Sequence, residues 1–266
     1  MTTQASQGTA LITGASSGIG ALYAKRLAAR GHDLILVARS HQRLDRLAQC
    51  LHKKTGRRVE VLVADLGDRQ GLALVERQLR ERGDVSLLVN NAGVGATSAL
   101  LDSDVDAMTR MIELNVTALT RLAHAAAPGF VEQGRGAIIN IASIVGIAPE
   151  ILNGVYGATK AFVLAFSQSL HHELADKGVR IQAVVPGAVA TEFWTAAGTP
   201  VDALPREIVM QADDLVDAAL AGFDQGELFT IPSLPELADW QAYEAARQKL
   251  IPNLSRQSVA QRYRQA

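Results

Sequence analysis

Thr13-Gly14-Ala15-Ser16-Ser17-Gly18-Ile19-Gly20 follows an apolar run, Thr9–Ile12, and precedes a helix-like stretch, Ala21–Arg30, closed by Gly31. Glycines at a strand-to-helix turn let the backbone turn tightly and approach a ligand closely. The helix start then offers free N–H groups and the positive end of its dipole, a place for a phosphate. The spacing Gly-x-x-x-Gly-x-Gly is one residue longer, between its first two glycines, than the common Gly-x-Gly-x-x-Gly form. Taken alone, such a turn is a weak signal.

Its setting strengthens it. Leu34–Ala38 is a continuous apolar run, as expected of a strand covered on both faces. Gln42–Lys54 carries Leu44, Leu47 and Leu51 at helical spacing. Strand-like Val59–Val63, Ser86–Val89, Ala137–Ile141, Val179–Val185 and Leu228–Ile231 alternate with helix-like Arg69–Arg82, Val105–Gln133 (with a bend expected near Pro128) and Val155–Lys177. The alternation predicts an α/β fold, a doubly wound parallel sheet of about seven strands with helices on both faces. No Gly/Ser/Pro-rich linker interrupts it, so residues 1–266 are expected to form one domain. Within it, 188–211 reads as a substrate lid and 232–266 as a C-terminal extension.

Ligands of such sheets bind at the carboxyl ends of the strands. The second strand ends Val37-Ala38-Arg39-Ser40, without the acid that would hold ribose hydroxyls. Arg39, assisted by Ser40 and Arg43, would instead take a 2′-phosphate, which favours NADP(H) over NAD(H).

Composition narrows the field. Of 266 residues, 48% are apolar; 26 Lys and Arg balance 27 Asp and Glu, for a net charge of −1. That gives no strong field for nucleic acid or anionic membrane. Cys50 is the single cysteine, so no disulfide framework is expected, and the polar stretch Met1–Gly8 lacks a signal-peptide pattern. The most apolar stretch, 137–152, is interrupted by polar residues and Pro149 and is expected not to span a membrane. A cytoplasmic protein is expected. Neighbouring His171 and His172 point about 100° apart on a helix, and Asp176 stands where a zinc-protease pattern needs a second His, so no metal site is expected. Cys50 is expected to be a packing residue near a helix end.

Tyr156-Gly157-Ala158-Thr159-Lys160 places a phenol and an ammonium on one helix face. A nearby ammonium favours the phenolate and would bring the phenol's titration down from about 10. Ser143, just after the fifth strand, could hold a substrate oxygen beside it. A Tyr-x-x-x-Lys pair alone is commonplace. With Thr13–Gly20, Asp65-Leu66, Asn90-Asn91-Ala92-Gly93, Asn115, Ser143 and Pro186-Gly187 in the same order, however, the chain resembles the short-chain dehydrogenase/reductase family over about Thr9 to Ile231. The resemblance implies an oxidoreductase in which Asn115, Ser143, Tyr156 and Lys160 are catalytic. Asn115 would hold a water of a proton relay, and Lys160 would also bind the nicotinamide ribose. It implies cofactor contacts from Gly14, Ser16, Ser17, Gly18, Ile19 and Gly20, from Asp65 and Leu66 at the adenine, and from Asn91, Ala92 and Gly93 at the adenosine ribose. Pro186, Gly187, Val189 and Thr191 would meet the nicotinamide. Asn91 reads equally well as a tie between strands.

Residues Ile144, Val145, Ile151, Leu152, Val155, Phe193, Trp194, Leu204 and Met210 would make a largely apolar substrate wall. The expected substrate is therefore a hydrophobic ketone or secondary alcohol. A 3-oxoacyl-thioester reductase and a non-catalytic NADP(H) sensor are the alternatives. A homodimer or homotetramer is expected, built on a helix face carrying Ala161, Phe162, Ala165, Phe166, Ser169 and Leu170.

Overall fold

Strand β1 (Thr9–Thr13) is buried along its whole length and is an interior strand of a seven-stranded sheet. The computed structural model describes residues 7–264. After β1 come α1 (Gly18–Ala29), β2 (Asp33–Ala38), α2 (His41–Thr55), β3 (Val59–Val63), α3 (Arg69–Glu81) and β4 (Val85–Asn90). Next are α4 (Val105–Ile112), α5 (Leu119–Glu132), β5 (Gly136–Ile141), α6 (Gly154–Leu174) and β6 (Val179–Val184). The remaining elements are β7 (Ala188–Val189), α7 (Phe193–Ala196), β8 (Val209–Met210), α8 (Ala212–Gln225), β9 (Phe229–Thr230) and α9 (Leu237–Leu250). The main sheet runs β3-β2-β1-β4-β5-β6-β9, with every pair parallel. This is the expected doubly wound fold.

The continuous apolar strands are explained by two core layers. Ala10, Ile12, Leu34 and Leu36 pack with α1 and with Leu215, Val216, Ala219 and Leu220 of α8. Leu11, Ile35, Val37 and Leu88 point the other way, into a layer with Leu72, Val75, Leu122, Phe130 and Leu170. Successive strand residues face opposite sides, and both sides are dry.

Three readings of the sequence gain detail or are corrected. The long helix of 105–133 continues through Pro128, which lies inside α5, and is interrupted by a π-helical segment, Glu113–Ala118. Within the 188–211 stretch read as a lid, β7 and β8 pair and α7 lies between them. Cys50 is likewise exposed rather than packed.

By their contacts, the described residues form two compact units, one ending at Pro232 and the other starting at Ser233. The second contains α9, on which Trp240 stacks with Tyr243 at 5.1 Å. Among the described residues, no helix is long and apolar enough to cross a membrane.

Candidate active site

The glycine turn has the conformation its sequence demands. Gly14 and Gly18 take φ of 65° and 52°, the left-handed region that glycine adopts without penalty. A Cβ at Gly20 would overlap the Gly14 carbonyl and the Asn91 amide. Ser17 precedes α1 without capping it through its side chain, and no acid occupies the first turn. The N–H groups at this helix end are thus left for an anion, which is what a pyrophosphate requires.

Thr13 joins this turn to β4. Its hydroxyl donates to the Val89 carbonyl (3.2 Å) and accepts from the backbone N–H of Asn91 (2.9 Å) and Ala92 (3.0 Å). The Asn91 amide donates to the Thr13 carbonyl at 2.8 Å. Of the two readings of Asn91, these bonds favour the tie between strands.

Along the same edge, Arg39 is exposed, and its guanidinium lies 3.9 Å from the Asp65 carboxylate. Asp65 also accepts from the Gly67 N–H at 2.9 Å. Arg39, Asp65, Val63, Gln70 and Leu74 border a recess of about 460 Å³. Arg43 is not turned to that recess; it forms a 2.7 Å ion pair with Glu192.

At the far end of β5, Ser143 extends beyond the strand and contacts the Pro186 carbonyl at 3.3 Å. Tyr156 faces it from the first turn of α6, 6% exposed. Burial pushes the phenol up to about 12, opposed by a hydrogen bond with Ser143. Lys160 is buried one turn on, and its Nζ donates to the Ile141 carbonyl at 2.8 Å. Desolvation brings its ammonium down to about 8. Nζ lies 5.9 Å from the Tyr156 ring centre. The expected lowering of Tyr156 by Lys160 is therefore not present in this arrangement, because burial dominates both groups.

Asn115 sits in the π segment, where one extra residue per turn redirects side chains. Its amide donates to the Val94 carbonyl (2.8 Å) and to Thr159 Oγ1 (3.1 Å), and its oxygen accepts from the Val94 N–H. Gly93 lies against it; a Cβ there would come 3.1 Å from the Asn115 oxygen and 3.7 Å from Lys160 Nζ. Ser143, Tyr156, Lys160, Asn115 and Gly93 thus converge at one end of the sheet. Val189 is buried, and its carbonyl accepts from Trp194 Nε1 at 3.0 Å. The Thr191 side chain lies next to Gly18, against which a Cβ would meet it at 3.4 Å.

Asn153, beside Tyr156, was not singled out from the sequence. It caps α6 by accepting from the N–H groups of Val155 (2.9 Å) and Tyr156 (3.1 Å). Its amide donates to the Ser98 carbonyl (2.6 Å) and Ser103 Oγ (3.2 Å). An Asn ahead of an apolar helix is a cap signal, but the second set of bonds depends on the tertiary fold. Among the described residues, no three His, Cys, Asp or Glu side chains gather as a metal-holding group.

Residues 8–201 match the family model described as short chain dehydrogenase. A short-chain dehydrogenase from Sphingobium yanoikuyae, solved in complex with NADPH, is 52% identical, with a TM-score of 0.94 over 97% of this chain and 100% of that one. The bulky-bulky ketone specific alcohol dehydrogenase from Comamonas testosteroni is 46% identical, with a TM-score of 0.90 over 97% and 99%. A very-long-chain 3-oxoacyl-CoA reductase from Anas platyrhynchos is 37% identical over 69% of this chain, which spans 60% of that relative's length.

Proposed function

The chain belongs to the short-chain dehydrogenase family, and from that premise we propose that it transfers hydride between NADP(H) and a hydrophobic ketone or secondary alcohol. The observation that carries this reading is the meeting of Ser143, Tyr156, Lys160 and Asn115 at the strand ends, on the same edge as the open start of α1.

The dinucleotide suits the residues present. Its pyrophosphate would lie at Gly14–Gly20, its adenine by Asp65 and Leu66, and its nicotinamide between Gly93, Pro186, Gly187 and Thr191. The exposed Arg39 supports NADP(H), since a guanidinium fork suits a 2′-phosphate. When bound, the cofactor supplies hydride from nicotinamide C4 to the carbonyl carbon.

The protein supplies the proton and its positioning. Ser143 Oγ donates to the substrate oxygen and fixes it beside Tyr156 Oη. The Tyr156 proton passes to that oxygen as negative charge develops, and the carbonyl becomes an alcohol. A phenol held near 12 is protonated throughout the neutral range, which suits an acid in the reducing direction. Lys160 Nζ would hold the nicotinamide ribose, and Asn115 would order the water that replenishes the proton. The apolar wall formed by Ile144, Val145, Leu152, Val155 and Phe193 supports a hydrophobic substrate.

A ketone series and a 3-oxoacyl-thioester series, each with NADPH and NADH, test the reading. Turnover confined to acyl thioesters would favour the alternative, and none at all would favour a sensor. Tyr156→Phe keeps the ring and removes the proton. It is expected to lower kcat by about 10²–10⁴ with NADPH binding nearly unchanged in a titration. A variant working at the parent rate overturns the assignment.

A further inference from the structure

Phe193, the first residue of α7, lies over the catalytic tyrosine. Its ring centre is 5.8 Å from that of Tyr156, tilted by 42°. The ring tip rests on Gly95: a Cβ there would overlap it, at 2.9 Å from Cε2 and 3.2 Å from Cε1. The ring also packs, as Ile144 and Leu152 do, against the small buried group of Met111, Val145 and Tyr156. Its two chain neighbours are anchored elsewhere. Trp194 is buried and tied to the Val189 carbonyl, and Glu192 is paired with Arg43. Phe193 itself is half-buried, so one side of its ring borders open space.

We propose that Phe193 is the specificity-determining residue of the substrate pocket, its ring narrowing the space beside Tyr156 that the smaller substituent of a ketone enters. The inference rests on the proposed ketone chemistry and deepens it. A ketone whose carbonyl reaches Ser143 and Tyr156 must place one substituent on each side of the phenol. Seated on Gly95 and 5.8 Å from the Tyr156 ring, the ring narrows the space on its side, so a small substituent is favoured there. A larger group requires the ring to leave its seat, and the substrate's own binding energy must supply that displacement. Gly95 is the complement: it lacks a side chain where the ring tip needs the backbone.

The test uses the full chain with NADPH and a series of aryl ketones whose second substituent runs from methyl to butyl. Phe193→Ala is expected to raise the ratio of kcat/KM for the butyl over the methyl ketone at least about tenfold, mainly through KM. NADPH affinity serves as a control and should hold. Gly95→Ala, which drives the ring off its seat, is expected to lower kcat/KM for the methyl ketone at least about fivefold in the parent. In the Phe193→Ala background the same change should matter less than about twofold, because the coupling of two touching residues vanishes when one is removed. A ratio within about threefold of the parent's, or equal damage by Gly95→Ala in both backgrounds, overturns the assignment. A parent that reduces none of the ketones overturns the proposed function, and this assignment with it. A parent that reduces them with an unmoved ratio overturns the assignment alone.

Discussion

At Arg39 the side chain has two partners to choose between. Its guanidinium faces the Asp65 carboxylate across 3.9 Å, with both groups largely exposed. A contact of that length in water contributes little, so a 2′-phosphate would compete for it readily. Replacing Arg39 with Asp removes the phosphate's partner and adds a second carboxylate beside Asp65. Arg39→Asp is expected to move preference from NADPH toward NADH, chiefly through KM for NADPH, by on the order of 1.5–3 kcal/mol. Kinetics with both cofactors measure it, and unchanged discrimination would refute the role. The place of Arg39 at a strand end was legible, because the missing acid was visible in the sequence there. Tyr156, Lys160 and Ser143 were legible through helix spacing and strand ends. Their electrostatics were not. The titration of Tyr156 depends on how deeply the phenol is buried, which no local spacing records. Thr13 was also hidden as a connector, since the target of a hydroxyl is fixed only when β1 and β4 pair.

Helix α6 begins at a residue with two tasks. Asn153 closes the helix start directly beneath Tyr156 and holds the Ser98 carbonyl, the beginning of the turn that leads into α4. Asn153→Ala loses the cap, worth about 1 kcal/mol, and leaves the Ser98 carbonyl without that donor. A fall of a few degrees in Tm is expected, about 2–4 °C per kcal/mol for a chain of this size. The kcat should also fall, with NADPH affinity retained. A variant with parent Tm and kcat would show that the bonds are incidental. The π segment gives the opposite lesson about legibility. Residues 105–133 carry a good helical pattern, and Pro128 was its only visible irregularity. The proline is absorbed in α5, while the extra residue sits at Glu113–Ala118. Nothing in Glu-Leu-Asn-Val-Thr-Ala announces such a turn. It is set by the bonds of Asn115 to Val94 and Thr159, which join two other parts of the fold. The short strands β7 and β8, two residues each, fell below what periodicity can resolve.

Across the whole molecule, the parallel doubly wound sheet was legible because most strands are continuous apolar runs that alternate with helical stretches. The assembly was less so. On α6, Phe162 stacks with Phe166 at 5.5 Å, and Phe162 is 36% exposed on the outer side of the helix. An exposed aromatic face of this kind supports a closed homo-oligomer. The protein is expected to be a dimer or tetramer by light scattering at micromolar concentration, and Phe162→Arg is expected to shift it toward the monomer. A monomeric parent would refute this.

Helix α8 has a consequence for the newborn chain. It closes the core layer beside β1, and it is clasped to α1 by the ion pairs of Arg26 with Asp213 and Asp217 and of Arg30 with Asp224. More than 180 residues separate the partners. On the ribosome, β1, β2 and α1 emerge long before the helix that covers them. At about 5–20 residues per second, that interval lasts roughly ten seconds or more. Throughout it, Ile12 and Leu36 lie under an incomplete roof, open to wrong partners. Fast local helix formation cannot shorten the wait, because the missing cover has not been made. Holdase chaperones would find their target in that half-covered layer, and a message truncated before Ala212 would yield a chain that aggregates rather than a smaller enzyme.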